Sequence, residues 1–127
     1  MSALETPAKR ALARMIRMLN TGDLALLPDT VSEAYCDHQG LRGVEVRGRA
    51  GFARVVEAAR QLRNLEIHIE DMFAEGDRAV ARIHWRHTLA DGTTLERETM
   101  DIVREVDGLA VEHWGAQLWT RKVRSSN

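Results

Sequence analysis

Residues 65–73, Leu-Glu-Ile-His-Ile-Glu-Asp-Met-Phe (LEIHIEDMF), decide the fold class. Leu65, Ile67 and Ile69 alternate with Glu66, His68 and Glu70, the period of a strand that buries one face. Three further runs follow, 78–89, 93–106 and 109–120, punctuated by Gly76-Asp77, Asp91-Gly92 and Asp107-Gly108. An Asp-Gly pair between alternating segments signals a hairpin, because both residues tolerate the positive φ that tight turns demand. Four long strands joined by successive hairpins predict an antiparallel meander.

Upstream of residue 64 the period changes to that of helices. Thr6-Pro7 marks a start, Thr as N-cap and Pro in the first helical position. Ala8, Leu12, Met15, Ile16 and Leu19 then recur on one face, and Asn20-Thr21-Gly22-Asp23 ends the run. Leu24 to Leu27 reads as one helical turn, and Pro28 to Tyr35 as a further short helix. Residues 36–47, with Gly40 and Gly43, read as a loop. "GRAGFARVVEAARQL", 48–62, gives a helix with an apolar stripe of Phe52, Val55, Val56, Ala59 and Leu62. Helices followed by strands predict one α+β domain over residues 1–127, its N-terminal helices packed on a strongly curved antiparallel sheet. Such a sheet forms a half-open cone with a pocket inside. Residues 1–6 and 121–127 are expected to be flexible tails.

The bulk numbers exclude several classes. At 127 residues, 44% apolar and 29% charged, the chain is an ordinary globular domain. A net charge of -1 gives no electrostatic reason for a nucleic acid or anionic membrane partner. The only basic cluster, Arg121-Lys122-Val123-Arg124, reads as a solvated tail. Cys36 is alone, so no intrachain disulfide forms, and it reads as a buried structural thiol. No apolar run is long enough to span a membrane, and the first fifteen residues hold no continuous apolar stretch, so a cytoplasmic location is expected. No HxH or HxxxH pair falls on one face, so no metal site is expected.

Candidate catalytic groups cluster on the last hairpin. A two-residue turn at Asp107-Gly108 sets 101 opposite 114 and 102 opposite 113. Asp101, Val103, Glu112 and Trp114 then share one face, Met100, Ile102, Val111 and His113 the other, unless a β-bulge exchanges them. Asp101 sits among apolar Met100, Ile102 and Val103, where burial would raise its pKa toward that of a useful base. The alternative is an ion pair with Arg82 or Arg86. His113 titrates near neutral pH and could act as a base, or be a hydrogen-bonded, partly buried histidine. Asp37 and His38 are neighbours, and neighbours rarely point the same way. Trp85, Trp114 and Trp119 could stack on a flat ligand or pack the core. Tyr35, Phe52, Met15 and Met100 could line a pocket, or be simple core.

The ordered set "MIRMLNTGDLALL" (15–27), "YCDHQG" (35–40), "GRAGF" (48–52), "MFAEGDRAVARIHWRHT" (72–88) and "MDIVREVDGLAVEHW" (100–114) resembles the SnoaL-like polyketide cyclases, in the nuclear-transport-factor-two-like superfamily. The resemblance covers about residues 11 to 119. It implies a deep hydrophobic pocket for a small hydrophobic molecule, no metal or organic cofactor, and a homodimer built through sheet faces. It places the loop of Asp37 and His38 at the cavity mouth, which adds His38 to Asp101 and His113 as a catalytic candidate. It implies cyclisation by an aldol closure, with an acid/base Asp at the position of Gly115 and its accompanying His at Asp101. Gly115 carries no proton, so that mechanism cannot run with the same residue. The expectation is therefore acid/base chemistry on a small hydrophobic carbonyl compound by Asp101, with His113 or His38 as partner. A non-catalytic ligand-binding or dimerisation module, or a hydroxylase or epoxide-opening relative, is the alternative.

Overall fold

The computed structural model describes residues 5–124. Helix α1, Pro7–Thr21, begins where Thr6 Oγ1 accepts the Lys9 backbone N–H at 3.2 Å, with Pro7 inside the first turn. It ends at Gly22, whose φ of 76° only glycine adopts freely. Helix α2 spans Gly48–Arg60. Both turn their apolar stripes onto one face of a sheet: Leu12, Met15, Met18 and Leu19 from α1, Phe52, Val56 and Ala59 from α2. Asn20 fixes the end of α1 to the sheet by a reciprocal pair of hydrogen bonds, Nδ2 to Ile67 O at 2.9 Å and Ile67 N to Oδ1 at 3.0 Å.

The sheet has six strands: β1 Val31–Leu41, β2 Val44–Arg47, β3 Arg63–Glu75, β4 Arg78–Thr88, β5 Thr94–Val106 and β6 Leu109–Val123. Their order is β2-β1-β6-β5-β4-β3, and the sheet does not close. The α+β class and the four hairpin-linked C-terminal strands stand as expected. The part before α2 needs correction. Pro28 lies in a single 3-10 turn, Leu27–Asp29, rather than opening a helix to Tyr35. Val31 onward is strand, and the expected loop of residues 36–47 is the β1–β2 hairpin. Because β1 runs parallel to β6 while every other pair is antiparallel, the sheet is mixed.

The reason is an edge. Without β1, the long strand β6 would present its unpaired backbone to solvent. Val31, fully buried, and the bond from Ala110 N to Thr30 O at 2.7 Å seat β1 there. Arg121 to Val123, expected in a tail, belong to β6, and Arg121 pairs with Glu96. Residues 1–4 and 125–127 of the expected tails lie outside the described residues. No helix among the described residues is long and apolar enough to cross a membrane.

Candidate active site

Between the helices and the covered face of the sheet lies a cavity of about 450 Å³. Its apolar wall comes from Leu12, Met15, Phe52, Val55 and Ile83. Its polar wall comes from β1, β5 and β6, and a single extra residue decides its composition. Val111 stands unpaired between the pairs Glu105–Ala110 and Arg104–Glu112. Beyond this bulge the register moves by one, so 101 lies opposite 115, 102 opposite 114 and 103 opposite 113. The faces expected from a regular hairpin are thereby exchanged. His113 joins Asp101 and Val103 inside, and Trp114 joins Ile102 outside.

His113 is held between two carboxylates. Its Nε2 lies 2.7 Å from Asp101 Oδ2 and its Nδ1 2.7 Å from Asp37 Oδ1. Asp37 reaches it because β1 pairs in parallel with β6, with Asp37 beside His113. Burial alone would push the imidazole pKa down, but the hydrogen bonds and charges of Asp101 and Asp37 outweigh it and raise the value to about 9. At neutral pH the group is therefore an imidazolium with both N–H groups donated. Asp37 is held below its ordinary range: burial opposes ionisation, but His113 and the backbone N–H groups of Gly40 and Gln39 prevail.

The two carboxylates are not equivalent. Asp101 Oδ1 accepts the Thr99 hydroxyl at 2.6 Å, and Thr99 in turn accepts the Trp85 indole N–H at 3.0 Å. Both Asp101 oxygens are thus engaged. Three hydrogen bonds accepted by Asp37 fall on Oδ1, from His113, Gln39 N and Gly40 N, none of them engages Oδ2, and the residue lines the cavity. Tyr35, two residues earlier on the same face, buries its hydroxyl close to Asp37 but without a well-formed hydrogen bond. Burial, then the negative charge of Asp37, pushes its phenol well above the ordinary range, so it stays protonated.

The expected site residues therefore divide. Asp101, His113, Tyr35, Trp85, Phe52 and Met15 line the cavity. His38, Trp114 and Met100 do not, because strand alternation and the bulge turn them to the other face of the sheet. There His38 stacks on Trp114 with ring centroids 5.1 Å apart and bonds to Glu45 and Glu112 at 3.0 and 2.9 Å. Cys36, His38 and Glu45 gather ligand-type atoms within 4.8 Å of one another. Arg47 and Arg104 already neutralise the two glutamates, at 3.0 and 2.6 Å. The ion pair considered for Asp101 does not form, since Arg82 is taken by Asp71 and Glu98.

Asp37, Gln39, Arg42, Arg97 and Thr99 complete the polar lining, and the sequence does not single them out. For Thr99 and Arg97 the signal existed, since residues 97, 99, 101 and 103 share one face by alternation. The sequence presents Asp37 only as the neighbour of His38.

The family model of a SnoaL-like domain matches residues 12–113. Among solved structures, a Bacillus cereus protein named as a candidate polyketide cyclase is 27% identical, with a TM-score of 0.77 over 89% of this chain and 75% of that one. IdmH of Streptomyces antibioticus, also named as a candidate polyketide cyclase, is 22% identical, with a TM-score of 0.75 over 90% and 93%. An LEH-like epoxide hydrolase of M. tuberculosis is 13% identical, with a TM-score of 0.71 over 87% and 82%. At their identities the last two speak for the fold alone. No curated protein sequence matches the chain.

Proposed function

Since the chain belongs to the SnoaL-like domain family, whose model spans residues 12–113, we propose that it is an enzyme moving a proton on a small, largely apolar carbonyl compound, in a cyclisation or isomerisation. The observation that carries this reading is His113 clamped at 2.7 Å between Asp37 and Asp101 on the wall of an apolar cavity. Titratable groups with opposed environments in a pocket are the ordinary signature of acid/base work.

The geometry favours Asp37 over Asp101 as the proton acceptor. Asp37 lines the cavity and keeps Oδ2 out of the bonds to His113, Gln39 and Gly40, whereas Asp101 has both oxygens committed. In the proposed step the C–H bond beside a carbonyl breaks, its proton goes to Asp37 Oδ2, and its electron pair moves onto the carbonyl oxygen as an enolate. The enolate carbon then attacks a second carbonyl, whose oxygen takes the proton back from Asp37, or the proton returns to a different carbon of the conjugated system. His113, already cationic, offsets the charge that develops, and Asp101 holds it in place. A carboxylate of lowered pKa suits an acidic C–H, such as one between two carbonyls.

Deuterium exchange into a panel of apolar 1,3-dicarbonyl compounds, followed by NMR, tests this reading. Exchange above the buffer rate is expected for the wild type, a loss of about 100-fold or more for Asp37→Asn, and a smaller loss for Asp101→Asn. Exchange equal to buffer across the panel, or undiminished in both variants, would favour a non-catalytic ligand-binding module. The homodimer implied by the family stays a proposal of the same kind, and sedimentation would test it.

A further inference from the structure

We propose that the ligand of this cavity carries a carboxylate and that Arg97 is the residue that binds it. The inference rests on the reading above that this cavity is the ligand site, and it names the class of molecule that enters.

Arg97 lies on β5, on the cavity side, directly opposite Trp85 of β4. Its guanidinium carbon sits 4.4 Å above the centroid of the Trp85 ring, so stacking fixes the plane of the fork. No carboxylate pairs with it among the described residues, and its Nε is buried with no hydrogen-bond partner. Arg49, Arg82, Arg104 and Arg121, by contrast, each have a carboxylate within 3.0 Å, and Arg42, the other arginine of the cavity lining, is exposed to solvent rather than desolvated. Arginine stays charged in proteins, and a desolvated charge without a partner is costly. A guanidinium kept in a pocket wall without a counter-ion is a binding site for one.

Asp101 does not fill that role. Its charge reaches Arg97 and partly offsets the desolvation of the guanidinium, but no ion pair forms, and the two lie four residues apart on one strand, about 13 Å between Cα atoms for an extended chain. Thr99 stands between them and already bonds Asp101. A second unsatisfied group stands at the same end. His87, on the cavity face of β4 two residues beyond Trp85, has a buried Nδ1 without a partner. Burial, then the charge of Arg97, pushes its pKa down, so it is a neutral imidazole able to give one more hydrogen bond. A planar carboxylate matches the guanidinium fork in a way that neutral oxygens do not.

The placement also sets the order of parts in the ligand. The carboxylate sits at Arg97, an apolar body crosses the wall of Leu12, Met15, Phe52 and Val55, and the carbonyl reaches Asp37 and His113. This describes a keto acid with a substantial hydrocarbon or ring portion, rather than a wholly apolar ketone.

Isothermal titration of 2-naphthylacetic acid and its methyl ester at pH 7 tests the assignment. The acid is expected to bind the wild type at least tenfold more tightly than the ester. Arg97→Met is expected to remove that preference by weakening the acid alone, and Arg97→Lys to retain part of it. Equal affinities for acid and ester, no binding of the acid at millimolar concentration, or an unchanged preference in Arg97→Met would each overturn the proposal. Should Arg97→Met not fold, the wild-type comparison decides alone. A preserved preference for the acid without any deuterium exchange would overturn the catalytic reading and leave this one standing.

Discussion

Gly115 stands directly opposite Asp101 across β5 and β6, and a Cβ placed on it would meet Asp101 Oδ2 at 3.0 Å and run into the Gln39 side chain. The family resemblance puts an acid/base Asp at 115, but here the space beside that position holds the carboxylate of the facing strand. An acid at that position has no room beside Asp101. Restoring it is therefore expected to do harm. Gly115→Asp sets two carboxylates against each other at a buried site and is expected to destabilise by about 2–4 kcal/mol, more at pH 8 than at pH 4. Gly115→Ala asks the flexible end of Gln39 to move and Asp101 Oδ2 to give slightly, and should cost less. Thermal melts of both variants at the two pH values check this, and a neutral or stabilising Gly115→Asp would contradict it.

The clamp on His113 gives stability a pH dependence whose sign follows from the shifts. The His113 pKa is raised from 6.5 to about 9 in the folded state. Its contribution is complete below about 6.5 and is lost as pH rises through 9, on the order of 3 kcal/mol in all. Asp37 is lowered from 3.8, so its contribution is present above that value and is lost as pH falls through the lower folded value. Urea midpoints should therefore be highest between about pH 4 and 6.5 and decline toward pH 10. His113→Asn should flatten the alkaline limb. A wild-type midpoint unchanged from pH 6.5 to 10 would show that the imidazole is not clamped as described.

Thr99 carries the link between the Trp85 indole and Asp101, at 3.0 and 2.6 Å, while being 2% exposed. Thr99→Val keeps the shape and removes the hydroxyl, leaving one donor and one acceptor without partners. A loss of about 1–3 kcal/mol is expected, with a change in Trp fluorescence as the indole N–H is freed. Full stability with unchanged emission would show that the chain of bonds does not persist in solution.

The sequence made the C-terminal half of the fold readable because its strands alternate cleanly and its turns carry Asp-Gly. Asp107 and Gly108 do adopt φ of 53° and 84°, the turn that pair predicts. The first strand was illegible for a matching reason. Tyr35, Cys36 and Asp37 are all buried, one after another, and the register against β6 shifts between Val31 and Cys36, so no two-residue period survives. Half the candidate site went with it. Asp101 was legible as a carboxylate among apolar neighbours and His113 as a titratable side chain on the adjoining strand, but their meeting depends on Val111 being one residue too many, which no pattern in "LAVEHW" announces. Asp37 joins them only through parallel pairing of strands 76 residues apart, which local sequence does not encode.

Tyr35 gives a last test, one that separates packing from chemistry. Its ring is 1% exposed and meets Phe52 edge-on at 6.0 Å, so the aromatic body belongs to the core. Its hydroxyl lies close to Asp37 without a well-formed hydrogen bond, and a buried hydroxyl left so costs about 1–3 kcal/mol. Tyr35→Phe is therefore expected to raise the melting temperature by a few degrees, whereas Tyr35→Ala should lower it sharply by opening a cavity. The hydroxyl also sits beside Asp37 on the cavity wall, protonated over the whole working pH range. If it donates to the enolate oxygen formed there, Tyr35→Phe would gain stability and lose deuterium exchange together, the trade expected of a polar group retained for function. A stabilised variant with undiminished exchange would limit Tyr35 to its ring, and a destabilised one would mean that the hydroxyl has found a partner in solution.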